Sequence, residues 1–306
     1  MKTKLLFGLL VFGLLAACRP GAPAAGPNPN PGPDPDPPPE APASVLVFAV
    51  GDIATGGDGD EATAGLIEAR AAGEGWRVLA LGDLAYPDGS ADDFQNYYEP
   101  SWGRFKERPW PVPGNHEYHT SGAAGYYGYW GERAQGPDGW YAFTLGGWRL
   151  YALNSNCSQV GGCDEDSDQY AWLAAELERD DHACALAFAH RPRYSPGPHG
   201  DGRSMDAVWD LLVAHGVELY LSGHDHLYAR YRPRGADGAV AEDGVVQFVV
   251  GSGGAGLYEA SDDAAVAFSD DAHWGVLELT LEPEAYAWRF VTTDGVVRDE
   301  GRAACR

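Results

Sequence analysis

Lysine is almost missing from this chain: Lys2, Lys4 and Lys106 are the only three in 306 residues. Acidic residues number 45 against 21 basic ones, a formal charge of −24. That balance counts against nucleic acid as a partner, because such binders neutralise phosphates with a basic patch. It leaves phosphate chemistry open, since a few local arginines can hold an anion. Long apolar runs are also missing. Leu5–Leu15 is too short to cross a ~30 Å hydrocarbon core as a helix. No Cys-x-x-Cys spacing occurs, which argues against a thiolate metal site. The glycine-rich run at 251–256 lacks the terminal Gly-Lys-Ser/Thr of a phosphate loop, and reads instead as a tight turn near a site. No internal repeat is found. Hydrophobic residues make up 44% of the chain and aromatics 12%, enough for a sizeable core, so general disorder is excluded.

The N-terminus reads as a targeting segment. Lys2 and Lys4 precede the apolar run Leu5–Leu15, and Leu15-Ala16-Ala17-Cys18 follows. This resembles a bacterial lipobox, in which residues 1–17 are removed and Cys18 carries lipid. The alternative is an ordinary secretory signal cut at small residues. Either reading exports the protein: lipid-anchored at the cell envelope, or else secreted or periplasmic. Residues 18–43 are rich in proline, which cannot donate to a sheet, so they read as an extended tether. Residues 44–306 form the expected catalytic domain. Its four cysteines, 157, 163, 184 and 305, favour disulfides outside the cytoplasm. Cys157 and Cys163 enclose a short glycine-containing loop and are the natural pair, which leaves Cys184 with Cys305.

Apolar runs at 45–50, 78–81 and 185–189 read as buried strands, and 60–72, 167–179 and 205–215 as helices. Asp166 and Gln169 are placed for a capping box on the second helix. Runs 141–145 and 148–153 flank Gly146-Gly147 as a hairpin. Further strands are expected at 217–221, 245–250, 274–281 and 286–291. Strands alternate with helices early and dominate late, which predicts an α/β fold of two packed sheets with helices outside.

Apolar strand candidates are followed by polar residues of one chemical kind: Gly51-Asp52, Gly82-Asp83-Leu84-Ala85-Tyr86, Gly114-Asn115-His116-Glu117, Ala189-His190 and Gly223-His224-Asp225-His226. In α/β sheets ligands collect at the carboxyl ends of strands. Carboxylate, amide oxygen and imidazole suit hard-to-borderline ions, and these residues suffice for two of them.

The order and spelling resemble the calcineurin-like metallophosphoesterases, and more narrowly the purple acid phosphatases. The wider family has a His where Ala54 stands and an Asp where Tyr86 stands; losing the first and gaining the tyrosine is the purple acid phosphatase pattern. Gly is usual at the place of Ala54, where no ligand is at stake. The resemblance implies a four-layer αββα sandwich of two mixed sheets. It implies one metal on Asp52, Asp83, Tyr86 and His226, and another on Asp83, Asn115, His190 and His224. The tyrosine side would hold Fe(III), coloured by its phenolate, and the other side Fe(II), Zn or Mn.

The implied activity is hydrolysis of small phosphomonoesters by attack of a metal-bound hydroxide. His116 would contact phosphoryl oxygens or help protonate the leaving group, and His199 would match the family's general acid. A second His often follows that residue in larger members, where this chain has Gly200. A phosphodiesterase and an inactive binding module of the same fold are the alternatives. His119 is close enough in sequence to reach the site. Arg191 and Arg193 either bind phosphate oxygens or are solvated. Tyr126, Tyr127, Tyr129 and Trp130 either wall the cleft or pack over the sheet edge. His182, His215 and His273 fall outside every motif.

Overall fold

The computed structural model describes residues 44–306. The apolar runs become the middle of two sheets. In the first, β1 (Val45–Val50), β2 (Arg77–Ala80) and β3 (Pro109–Pro111) run parallel. On the other side of β1, the strands β11 (Gly275–Glu282), β12 (Ala285–Thr292) and β13 (Val297–Ala304) follow antiparallel. The order is β13-β12-β11-β1-β2-β3.

The second sheet is built around β5 (Trp148–Ala152), β6 (Cys184–Phe188), β7 (Leu219–Ser222) and β9 (Val246–Val250), all parallel. Antiparallel strands β4 (Tyr141–Leu145), β8 (Tyr228–Tyr231) and β10 (Val266–Asp270) complete it. Both sheets are mixed, as expected, and helices cover their outer faces.

Strand periodicity explains the layering. In β6, Cys184, Leu186 and Phe188 point into the core shared with Phe48, Leu277 and Phe290 of the first sheet. The intervening Ala185 and Ala187 pack with Leu173, Trp209 and Leu212 on the helices Asp168–Glu178 and Asp206–Ala214. Outside the first sheet, the helix Asp58–Arg70 buries Ala64 and Ile67, and Trp76 meets Phe48 and Phe105 edge-on. Among the described residues no helix is long and apolar enough to cross a membrane.

The Gly146-Gly147 hairpin forms, with φ of 60° and 84°, the left-handed pair that a two-residue turn requires. The predicted disulfides form, Cys157–Cys163 and Cys184–Cys305, with Cα separations of 5.2 and 5.6 Å. The capping box does not. Ser167 caps its helix by accepting from Tyr170 N, while Gln169 turns inward to bond both backbone groups of Asn154. A buried loop with unpaired backbone outbids a local cap.

Sequence patterning misses the helical stretch 91–105, which Pro100 obscures, although Ser90 and Asp93 form a complete capping box at its start. It also misses β8, β10 and β13. The last is polar and alternately exposed, as an edge strand should be. The lipobox and the proline tether lie outside the described residues.

Candidate metal centre

Each motif sits on the loop just past a strand of one of the two sheets. Asp52 follows β1, Asp83 and Tyr86 follow β2, and Asn115 follows β3. His190 follows β6, while His224 and His226 follow β7. Asp52, Asp83 and His224 hold left-handed backbones, with φ of 60°, 50° and 73°. Such conformations are unfavourable for non-glycine residues and persist where surrounding structure enforces them. The neighbouring glycines are required by space. A Cβ on Gly114 would lie 2.1 Å from Asp83 Oδ1, and one on Gly223 would lie 2.4 Å from Asp52 Oδ2.

The fold brings all seven predicted side chains together in two groups. In one, Tyr86 Oη lies 3.0 Å from Asp52 Oδ1, 3.1 Å from His226 Nε2 and 3.4 Å from Asp83 Oδ2. In the other, His190 Nε2 lies 3.2 Å from Asp83 Oδ2, 3.1 Å from Asn115 Oδ1 and 3.2 Å from His224 Nδ1. One oxygen, Asp83 Oδ2, belongs to both groups.

The imidazoles are aimed by their outer nitrogens. His190 Nδ1 bonds Leu81 O at 2.9 Å, and His226 Nδ1 bonds Gly256 O at 2.7 Å. With Nδ1 donating to a carbonyl, Nε2 is the nitrogen turned to the cluster, the arrangement common to metal-ligating histidines.

The electrostatics also fit cations. Burial, then Asp52 and Asp83, hold the Tyr86 phenol far above its usual range, so it ionises here only against strong positive charge. Burial opposes the ionisation of Asp83, yet His190 and His116 keep it below the usual carboxylate range. His190 is itself pushed up to about 9, since Asp83 outweighs the effect of burial. Burial, then His190, Arg191 and His199, press His224 down to about 2, leaving a neutral imidazole. Two buried carboxylates, an amide oxygen, a phenol and three imidazoles are a donor set for hard-to-borderline ions, and two such ions fit the two groups.

Around this cluster lie the other predicted residues. His116 stays out of the donor set: its Nδ1 lies 2.6 Å from Pro87 O, and its Nε2 is 3.9 Å from Asp83 Oδ2. His119 packs on His116 and shares the Pro87 carbonyl, one ring removed from the cluster. His199 lies against His224, ring centres 4.3 Å apart, with Nδ1 held 2.9 Å from Asp225 Oδ1. Arg191 reaches His224, whereas Arg193 turns away to Asp206. The aromatic loop takes its packing role: Tyr126 and Trp130 are buried, and Tyr129 stacks on Phe94. The 251–256 run is the expected tight turn, with Gly253 N and Ala255 N bonding Gly51 O and Asp52 O.

Three residues escaped sequence reasoning. Glu117 is fully buried and accepts from the backbone N–H groups of Asp83, Leu84 and Gly114, tying the β2 and β3 exits together. Its position directly after Asn115-His116 was its only signal. Asp225 is buried between the two ligand-type histidines and orients His199. Tyr258 stacks flat on His226, ring centres 4.1 Å apart, and nothing local marks it.

With this geometry in place, the class of the protein is plain. Residues 35–228 match the family model for calcineurin-like phosphoesterases, and the chain belongs to that family. Within it the resemblance runs to purple acid phosphatases. Purple acid phosphatase 22 of Arabidopsis thaliana is 31% identical over 199 residues, 58% of this chain and 43% of that protein. Purple acid phosphatase 18 of the same plant is 28% identical over 245 residues, 71% of this chain and 53% of that one. The chain thus spans about half the length of these curated relatives. Purple acid phosphatase PPD1 from yellow lupin (Lupinus luteus) seeds shares the fold. Its TM-score is 0.68 at 20% identity, over 86% of this chain and 54% of that one.

Proposed function

We propose that this chain is a two-metal phosphatase acting on small phosphomonoesters, with Asp52, Asp83, Tyr86 and His226 around one ion and Asp83, Asn115, His190 and His224 around the other. The observation that carries this reading is the single oxygen, Asp83 Oδ2, placed in both donor groups. Bound there, two cations supply an acidified water as nucleophile and a positive clamp on the phosphoryl oxygens. A tyrosine in the first group favours Fe(III) there, and the second group suits Fe(II), Zn or Mn.

The protein's own part is positioning and proton handling. His199 is held by Asp225 at Nδ1, which leaves Nε2 to give a proton to the departing alkoxide as the P–O bond breaks. His116, held at Nδ1 by the Pro87 carbonyl, offers its other nitrogen beside Asp83 to phosphoryl oxygens. Export is supported by the two disulfides, which persist in oxidising compartments. We read Cys18 as the lipid anchor.

The test pairs hydrolysis of 4-nitrophenyl phosphate and bis(4-nitrophenyl) phosphate with metal analysis and a visible spectrum. The expected protein carries about two metal ions per chain, shows a broad visible band lost in Tyr86→Phe, and prefers the monoester. A colourless, fully active zinc or manganese enzyme overturns the ferric assignment. Preference for the diester makes it a phosphodiesterase, and activity on neither substrate leaves a binding module.

A further inference from the structure

We propose that Arg191 is the substrate's anion contact in this site and sets its preference for phosphate monoesters over diesters; the inference rests on the phosphatase reading above. The residue is clamped at its backbone. Its N–H donates to Ser155 Oγ at 2.8 Å, and its carbonyl accepts from Tyr220 Oη at 2.8 Å. The side chain therefore leaves a fixed point directly beside His190.

The guanidinium is partly buried, and among the described residues no carboxylate lies within ion-pair distance of it. In a chain of formal charge −24 that is a notable vacancy of partners. Arg193, two residues on, shows the contrast: its Nε lies 2.7 Å from Asp206 Oδ1, and its charge is spent. What Arg191 touches is His224, with Nη1 2.8 Å from Nε2. The other nitrogen of that ring, Nδ1, faces His190 Nε2 at 3.2 Å. The guanidinium is thus one imidazole ring away from the donor cluster.

What that contact can be depends on which nitrogen of His224 carries the hydrogen. A neutral imidazole has one lone pair. Once Nδ1 of His224 gives its lone pair to a cation, Nε2 carries the hydrogen, and two donors face each other across 2.8 Å. Arg191 must then find another acceptor, and the two carboxylates whose charge it feels, Asp83 and Asp225, both lie beyond ion-pair distance. An incoming phosphoryl oxygen answers the need, since the guanidinium fork matches phosphate oxygens with charge-assisted bonds. A monoester has three non-bridging oxygens and a diester two. If two ions took two non-bridging oxygens, a monoester would keep a third for Arg191 and a diester none.

The test compares wild type, Arg191→Gln and Arg191→Lys as metal-loaded proteins. Metal content, calorimetric affinity for inorganic phosphate, and kcat/KM on 4-nitrophenyl phosphate and bis(4-nitrophenyl) phosphate are measured. Arg191→Gln is expected to keep both metals, to bind phosphate ~10–100-fold more weakly, and to lose a similar factor on the monoester but less than ~3-fold on the diester. Arg191→Lys, with charge but no fork, should recover part of the loss. Unchanged phosphate affinity overturns the proposal. So does loss of metal in Arg191→Gln, which would make Arg191 a positioning residue for His224. Equal losses on both esters overturn the specificity role. Should wild type hydrolyse neither ester while Arg191→Gln still weakens phosphate binding, the anion contact stands and the phosphatase reading falls.

Discussion

The two sheets make unequal halves of the centre. The first contributes oxygen: Asp52, Asp83, Tyr86 and Asn115, all on loops after β1, β2 and β3. The second contributes nitrogen: His190, His224 and His226, after β6 and β7. Neither half is a site alone. Asp83 Oδ2 from the first sheet meets His190 from the second, and Asp52 Oδ2 accepts from His224 N at 2.7 Å across the same seam. The halves also answer protons differently. The oxygen half keeps Tyr86 neutral, while the nitrogen half holds a proton on His190 and refuses one on His224. A centre split this way forms only when the sheets are packed, so folding and metal affinity are coupled.

The sharpest way to break the division is Asp83→Asn, which removes the negative charge shared by both halves. Loss of metal and of at least ~10³-fold in turnover is expected, read by metal analysis and phosphate-ester hydrolysis. Near-normal turnover at normal metal content would refute a shared ligand.

His116→Ala removes no donor from either half, although the ring packs against Tyr86, centres 4.4 Å apart. Both ions should remain, with a rate loss on the order of 10² if His116 handles phosphoryl charge or protons. Metal loss would instead move His116 into the donor set.

Asp225→Asn is milder, because it acts through His199. An asparagine oxygen can still accept from Nδ1, but without the negative charge. A ~10-fold loss is expected, with the pH–rate profile displaced while metal content stays unchanged. An unmoved profile would separate His199 from proton transfer.

The smallest effect is on stability. In metal-stripped protein the His190 pKa is raised to about 9, so its contribution is fully present below the unfolded value and lost as pH rises through about 9. His224, depressed to about 2, works the other way: its contribution is present above the unfolded value and lost as pH falls. From the His190 pairing, the unfolding free energy of the stripped protein should fall as pH rises from ~6.5 toward 9, by about 3 kcal/mol at most, and the melting temperature with it. Loading with metal displaces the His190 proton and should flatten the alkaline fall. A stripped protein whose stability is level from neutral pH to about 9 would contradict the His190–Asp83 pairing.

What the sequence determined by itself was the supply and order of ligand-type atoms. Gly-Asp, Gly-Asn-His and Gly-His-Asp-His each follow an apolar run, and covalent adjacency carries such residues to a strand's end wherever that strand lies. The hairpin glycines, the disulfide pairs and the apolar strands were legible for the same reason, because each rests on near neighbours or on a short inventory. Only the tertiary structure decided the rest. It placed Arg191 against His224 and Arg193 against Asp206, though the two arginines are two residues apart. It turned Gln169 from a helix cap to the Asn154 backbone, set Glu117 beneath the Asp83 loop, and laid Tyr258 on His226. It also recruited the polar strand β13, where Asp299 is held by Arg230 of the other sheet. These contacts join segments far apart in the chain, and their energies depend on burial and distance, which no local pattern of residues encodes.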